Sequence, residues 1–166
     1  MRSLLTAACV LLSASLASIA AYLPEQNAKA EATLAQQEEE LARVGEATTG
    51  RVCNECHDLE EVTVTRRTPR EWADMVNAMA NRGATATSDE LAIIKRYVTR
   101  YFGLVPVNTA SAQVLTGVLG LSSQDAEKVV AYRKTNGRFA DTAALLKVPG
   151  IDRTTIDAQP EALRFD

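Results

Sequence analysis

One run constrains this chain more than any other: Cys53-Asn54-Glu55-Cys56-His57. A C-x-x-C-H run spaces two thiols to form thioethers with the vinyl groups of a haem, and the next residue then reaches the iron. One helical turn thereby holds both a porphyrin and its proximal ligand. Two other readings of the pair are weaker. A thioredoxin-type dithiol needs a surrounding βαβ pattern, which the flanking sequence lacks. A zinc site needs about four ligands, and the chain has one histidine and one further cysteine, the distant Cys9. The expectation is one covalently attached haem c on Cys53 and Cys56, with His57 on the iron.

Counting narrows the second axial ligand. His57 is the only histidine, so two histidines from one chain are excluded, and besides Met1 the methionines are Met75 and Met79. Both lie in PREWADMVNAM, residues 69–79, where Pro69 near the start and Gly83 past the end predict a helix. Trp72, Met75, Val76 and Met79 recur at i, i+3, i+4 and i+7, one apolar stripe. Such a stripe packs a core, and spacing leaves both methionines open as ligands.

The uncharged stretch over residues 4–23 follows Arg2 and ends in small residues around Ser18-Ile19-Ala20. Residues 1–21 read as a signal peptide cleaved after Ala20 or Ala21. The rival reading is an uncleaved anchor, since about 20 apolar residues suffice to span a bilayer. Either way the rest is expected in the periplasm, soluble or held at the inner membrane. Two thiols exported there must pair, bind a metal or carry a cofactor. Residues 22–49, rich in Ala, Glu and Gln, read as a polar helical linker. At 46% hydrophobic and 23% charged, the chain is no disordered tail, but 5% aromatics make a thin core that a cofactor would supplement. A net charge of -3 supplies no general attraction to nucleic acid.

Residues 50–103 resemble small class I-like monohaem cytochrome c domains, including those appended to quinoprotein dehydrogenases. The resemblance rests on Cys53-x-x-Cys56-His57-Asp58, Arg66-Arg67-Thr68-Pro69, Trp72, Val76, Met79, Gly83, Glu90-Leu91-x-Ile93-Ile94, Tyr97 and Phe102-Gly103. It implies Met79 as distal ligand, with Met75 the runner-up, and Trp72, Val76 and Tyr97 packing on the porphyrin or on the helix covering it. It also implies one-electron transfer between protein partners, not enzymatic catalysis.

Residues 104–166 resemble the tandem helix-hairpin-helix domain of competence DNA-uptake (ComEA-like) proteins. The matching residues are Gly120, Ala131-Tyr132-Arg133, Gly137, Phe139, Leu145, Val148 and Gly150, with Asn108 or Thr109 expected to cap the first helix. Extrinsic photosystem II subunits share the fold without binding DNA. In DNA-binding members the hairpin reads Gly-hydrophobic-Gly, and N–H groups at a helix start hold a phosphate. Here the second glycine is Ser122 in one hairpin and Asp152 in the other, and both are good N-caps. Residues 104–166 also carry seven basic and seven acidic residues, a net charge of zero.

The expected protein is therefore all-α, a haem domain over 50–103 followed by a helix-hairpin-helix bundle over 104–166. It would carry electrons while docked to a larger redox or photosynthetic complex, with nucleic acid not expected as a partner. The rival is an exported DNA-binding protein with a structural or sensory haem, resting on the cluster Arg133, Lys134 and Arg138.

Overall fold

The computed structural model describes residues 29–30 and 32–166, so the expected signal peptide and the start of the linker lie outside the described residues. The chain divides into two compact units, Met1–Glu40 and Leu41–Asp166. The described part of the first is helical and largely exposed. Among the described residues, no helix is long and apolar enough to cross a membrane.

In the second unit, helix α1 (41–53) turns Gly45, Thr49 and Val52 inward on one face. Part of the stretch expected as a solvated linker is thus packed. A short helix α2 (Glu60–Thr63) leads to α3 (Pro69–Asn81) and α4 (Ser88–Phe102). Both long helices start from capping boxes, Thr68 with Glu71 and Thr87 with Glu90, each satisfying orphan N–H groups reciprocally. Their apolar stripes bury Trp72 and Val76 against Ile94 and Val98, and Val52 of α1 completes this small core.

α4 runs directly into the C-terminal half. Gly103 is buried there, and a Cβ on it would stand 2.5 Å from Val118 Cγ1 and 2.1 Å from the Thr99 carbonyl. The elements that follow are β1 (Val105–Pro106), α5 (Ala112–Leu119), α6 (Ser123–Asn136), α7 (Thr142–Leu145), α8 (Arg153–Asp157), a 3-10 turn (Pro160–Ala162) and β2 (Leu163–Arg164). β1 and β2 pair in parallel, Val105 with Leu163 and Pro106 with Arg164, so the two ends of this half close on each other. The molecule is mostly helical, and this two-residue ladder is a departure from purely α. Leu115, Leu119, Leu121, Val129, Leu145 and Ile156 fill a second core.

One capping expectation is corrected. α5 is capped by Ser111, whose hydroxyl accepts from the Val114 N–H. Asn108 instead clamps distant backbone: its amide donates to the carbonyls of Phe139 (3.0 Å) and Phe165 (2.8 Å) and accepts from the Phe139 N–H (2.8 Å).

Candidate functional site

Cys53 ends α1, and the chain then turns through Cys56 and His57, whose N–H groups both donate to the Cys53 carbonyl at 3.3 Å. These three residues line a cavity of about 390 Å³ together with Trp72, Met75, Val76 and Met79 of α3 and Leu91, Ile94 and Val98 of α4. Six of the residues singled out as haem-contacting or core-stripe positions thus meet at one place with His57. Both methionines reach it. Tyr97 does not line the cavity; it lies against α1 at Gly45. The polar liners Thr49 and Arg82 were not singled out from sequence, Arg67 only as part of the Arg66-Arg67-Thr68-Pro69 run, and among the described side chains no acidic one lines the space.

Both thiols are free, and partial burial raises the pKa of Cys53. His57 Nδ1 lies 3.1 Å from the Asp58 carbonyl, a group that only accepts, so Nδ1–H donates to it and, in the neutral ring, the lone pair is on Nε2. Among the described residues no cluster of three or more His, Cys, Asp or Glu could hold a metal ion. A haem asks less of the protein: two thiols, one imidazole and one thioether around an apolar slot. The residues present fit that group.

The C-terminal half carries two hairpins. In the first, Gly120 adopts φ +74° between α5 and α6, and Ser122 caps α6 by accepting from the Asp125 N–H at 3.1 Å. The Arg100 guanidinium sits at this turn, 3.0 Å from where a Gly120 Cβ would stand, and donates to the Val118 carbonyl at 3.2 Å. In the second, Gly150 adopts φ +66° and Asp152 caps α8, accepting from the N–H groups of Thr154 (2.9 Å) and Thr155 (3.4 Å). The Thr155 hydroxyl also donates to Asp152 at 2.5 Å, and these bonds hold its carboxyl below the usual range. Lys128 bridges the hairpins, donating to Asp125 (2.7 Å) and to the Gly150 carbonyl (2.8 Å).

The expected basic cluster is broken up. Arg133 points inward and donates to the carbonyls of Val107 and Ala110, both at 2.5 Å, and burial lowers its pKa. Lys134, Arg138 and Lys147 are exposed and have no ion-pair partner among the described residues. Several acids of this half are engaged: Asp125 with Lys128, Glu161 with Arg66, Asp166 with Arg164, and Asp141 and Asp152 as caps. A net charge of zero therefore does not describe the surface that a phosphate backbone would meet.

The helix-hairpin-helix motif family matches residues 101–164. ComE operon protein 1 of Bacillus subtilis is 39% identical over 54 residues, 32% of this chain and 26% of that protein. The transcriptional accessory protein Tex of Neisseria gonorrhoeae is 40% identical over 62 residues, 37% of this chain and 8% of that protein. An uncharacterized protein of Neisseria meningitidis is 42% identical over 62 residues, again 37% of this chain and 8% of that protein. The chain thus spans only a part of each of these curated relatives. No solved structure matches it. These matches overturn two expectations: that nucleic acid is no partner, and that the protein is an electron carrier whose hairpin half merely docks it. The first rested on summed charge and on the missing second glycine, and the ion pairs and caps described above leave that sum a poor guide; the second rested on the Cys53–His57 run and the resemblance drawn from it. The half of the molecule that begins with the last turn of α4 is a helix-hairpin-helix domain.

Proposed function

We propose that this is an exported nucleic-acid-binding protein, whose helix-hairpin-helix domain grips the sugar-phosphate backbone of DNA and whose other half carries a covalent haem c with a structural or sensory role. The observation that carries the reading is the family match over residues 101–164 together with the likeness to ComE operon protein 1. The first hairpin supports it further. Its cap, Ser122, is neutral and occupies only the Asp125 N–H, while Arg100 brings positive charge to the Gly120 turn. Backbone N–H groups at a helix start and a nearby cation are what a phosphate requires. The exposed Lys134, Arg138 and Lys147 add non-specific attraction.

Cys53 and Cys56 would hold the haem through thioethers, His57 through Nε2, and Met79 or Met75 from the facing helix. The bound group would supply an iron whose oxidation state responds to its surroundings. The apolar walls from α3 and α4 exclude water from it, and the bond to the Asp58 carbonyl orients the imidazole.

The test is fluorescence anisotropy of a labelled DNA duplex titrated with the full chain at several salt concentrations. Micromolar binding that weakens steeply as salt rises is expected. Absence of binding at low salt would sink the nucleic-acid reading. Extraction with acidified organic solvent, which strips only non-covalent haem, should leave the porphyrin on the protein.

A further inference from the structure

Among the cations of α4, Arg96 stands exposed and makes no ion pair among the described residues. Its neighbours show which side of the helix it occupies. Arg96, Arg100 and the capping Gly103 follow one another at i, i+4 and i+7, so they lie along one side of α4. Ile94 and Val98 hold the opposite side and are buried in the core. Gly103 meets Val118 of α5, where an added Cβ would stand 2.5 Å from Cγ1. Arg100 is fastened at the Gly120 turn: its guanidinium donates to the Val118 carbonyl and to Gln159 Oε1, both at 3.2 Å, and Gln159 donates to the Leu119 carbonyl at 2.9 Å. The C-terminal end of this face is thus covered by the first hairpin, and Arg96 stands beside it, about 6 Å back along the helix. Ala92, the next residue back on this side, is exposed as well. Asp89 lies about 10 Å from Arg96 along the axis, roughly one Debye length at physiological salt.

The second hairpin presents the opposite charge. Asp152 sets its carboxylate at the start of α8, and the ammonium of Lys128 is held between Asp125 and the Gly150 carbonyl. A polyanion is therefore drawn to the first hairpin from the α4 side. Phosphates of one strand follow each other about every 3.4 Å along a duplex axis, so a strand seated at the Gly120 turn can offer a neighbouring phosphate to Arg96. The geometry points to a nucleic-acid surface that runs from the first hairpin onto the outward face of α4, with Arg96 taking a phosphate of the same strand. This surface extends beyond residues 101–164, the span of the family match, onto the helix whose other side walls the cavity. The inference rests on the nucleic-acid reading above and adds a second element, and a named cation, to that surface. Arg100 acts here as a positioning residue, fixing α4 against the hairpin.

The experiment titrates a labelled DNA duplex with the full chain and reads anisotropy across a range of salt concentrations. Arg96→Gln should lower affinity about five- to tenfold at 0.1 M salt and reduce the slope of log affinity against log salt by about 1, the signature of one lost phosphate contact. Arg96→Lys should keep the slope, because a phosphate accepts a point charge as well as a fork. Since Arg96 is exposed, the melting temperature of Arg96→Gln should stay within about 2 °C of the parent. The control is Arg51→Gln, which removes an equal charge at the other end of α4, where Arg51 pairs with Glu90 about 15 Å from Arg100 along the helix. It should leave the slope as it is. A slope that survives Arg96→Gln, or one that falls equally with Arg51→Gln, overturns the inference and leaves the hairpins as the nucleic-acid surface. If the parent chain itself binds no duplex at low salt, the nucleic-acid reading fails and takes this inference with it.

Discussion

Tyr97 of α4 lies directly on Gly45 of α1: a Cβ built at Gly45 would stand 2.6 Å from Tyr97 Cβ and 2.7 Å from Cδ2. The nearest obstacle is the first atom of the tyrosine side chain, which cannot rotate away, so the two helices can approach this closely only because residue 45 has no side chain. This crossing seats α1, and with it Thr49 and Cys53, against the cavity. Burial, and secondarily Glu46, raises the phenol pKa of Tyr97.

Gly45→Ala should therefore destabilise the protein by about 1–3 kcal/mol, the usual cost of forced overpacking, despite alanine's better helix propensity. Gly117, in α5, has nothing within 4 Å of an added Cβ. Gly117→Ala should stabilise by about 0.5–1 kcal/mol. Thermal melts of the two variants check the opposite signs.

Arg133 bonds the Val107 and Ala110 carbonyls from within the hairpin domain. Arg133→Met should cost about 2–4 kcal/mol, because two buried acceptors lose their donor. Lys134→Ala should change stability by no more than about 0.5 kcal/mol and instead lower the salt slope of DNA binding by about 1. Denaturant titration and anisotropy measured side by side separate the two roles.

Asp152 sets a carboxylate at the start of α8, where a phosphate would approach the second hairpin. Asp152→Asn keeps the cap and removes the charge, so DNA affinity should rise at low salt with stability nearly unchanged. Asp152→Ala removes both, and the melt should then register a loss of about 1 kcal/mol.

Met75 and Met79 both face the cavity from one helix. In the haem-loaded protein, replacing the true ligand by alanine should abolish the weak far-red band of a methionine–iron bond, and the same change at the other position should leave it. Loss with Met79→Ala and retention with Met75→Ala is the expected pattern. The reverse would assign the iron to Met75.

Glu71 closes the α3 capping box, and hydrogen bonds from the Thr68 backbone N–H and hydroxyl hold its carboxyl below the ordinary glutamate range. Since the folded value is the lower one, its contribution is complete above the unfolded value near 4.3 and fades as pH falls through the native value. Thermal melts of the native protein should drop across that acid window more steeply than those of Glu71→Gln, which has no carboxylate to protonate.

Much of this architecture was legible locally. The capping boxes at Thr68 and Thr87, the left-handed glycines of the hairpins, the caps at Ser122 and Asp152 and the Cys53–His57 turn are each satisfied by partners within about four residues, so short motifs announce them. Long polar side chains were not readable in this way. Arg133 seeks a carbonyl 26 residues away and Asn108 one 31 residues away, and only the packed fold brings those acceptors within reach. The same holds for Thr49, buried on the inward face of α1, and for the hairpin surface, where ion pairs and caps decide which of seven acids and seven bases a ligand would meet. Sequence order determined the helices, their ends and the identity of the reactive groups. Tertiary structure decided which polar groups were used up inside and which were left facing a ligand, because that choice is made by distance in space.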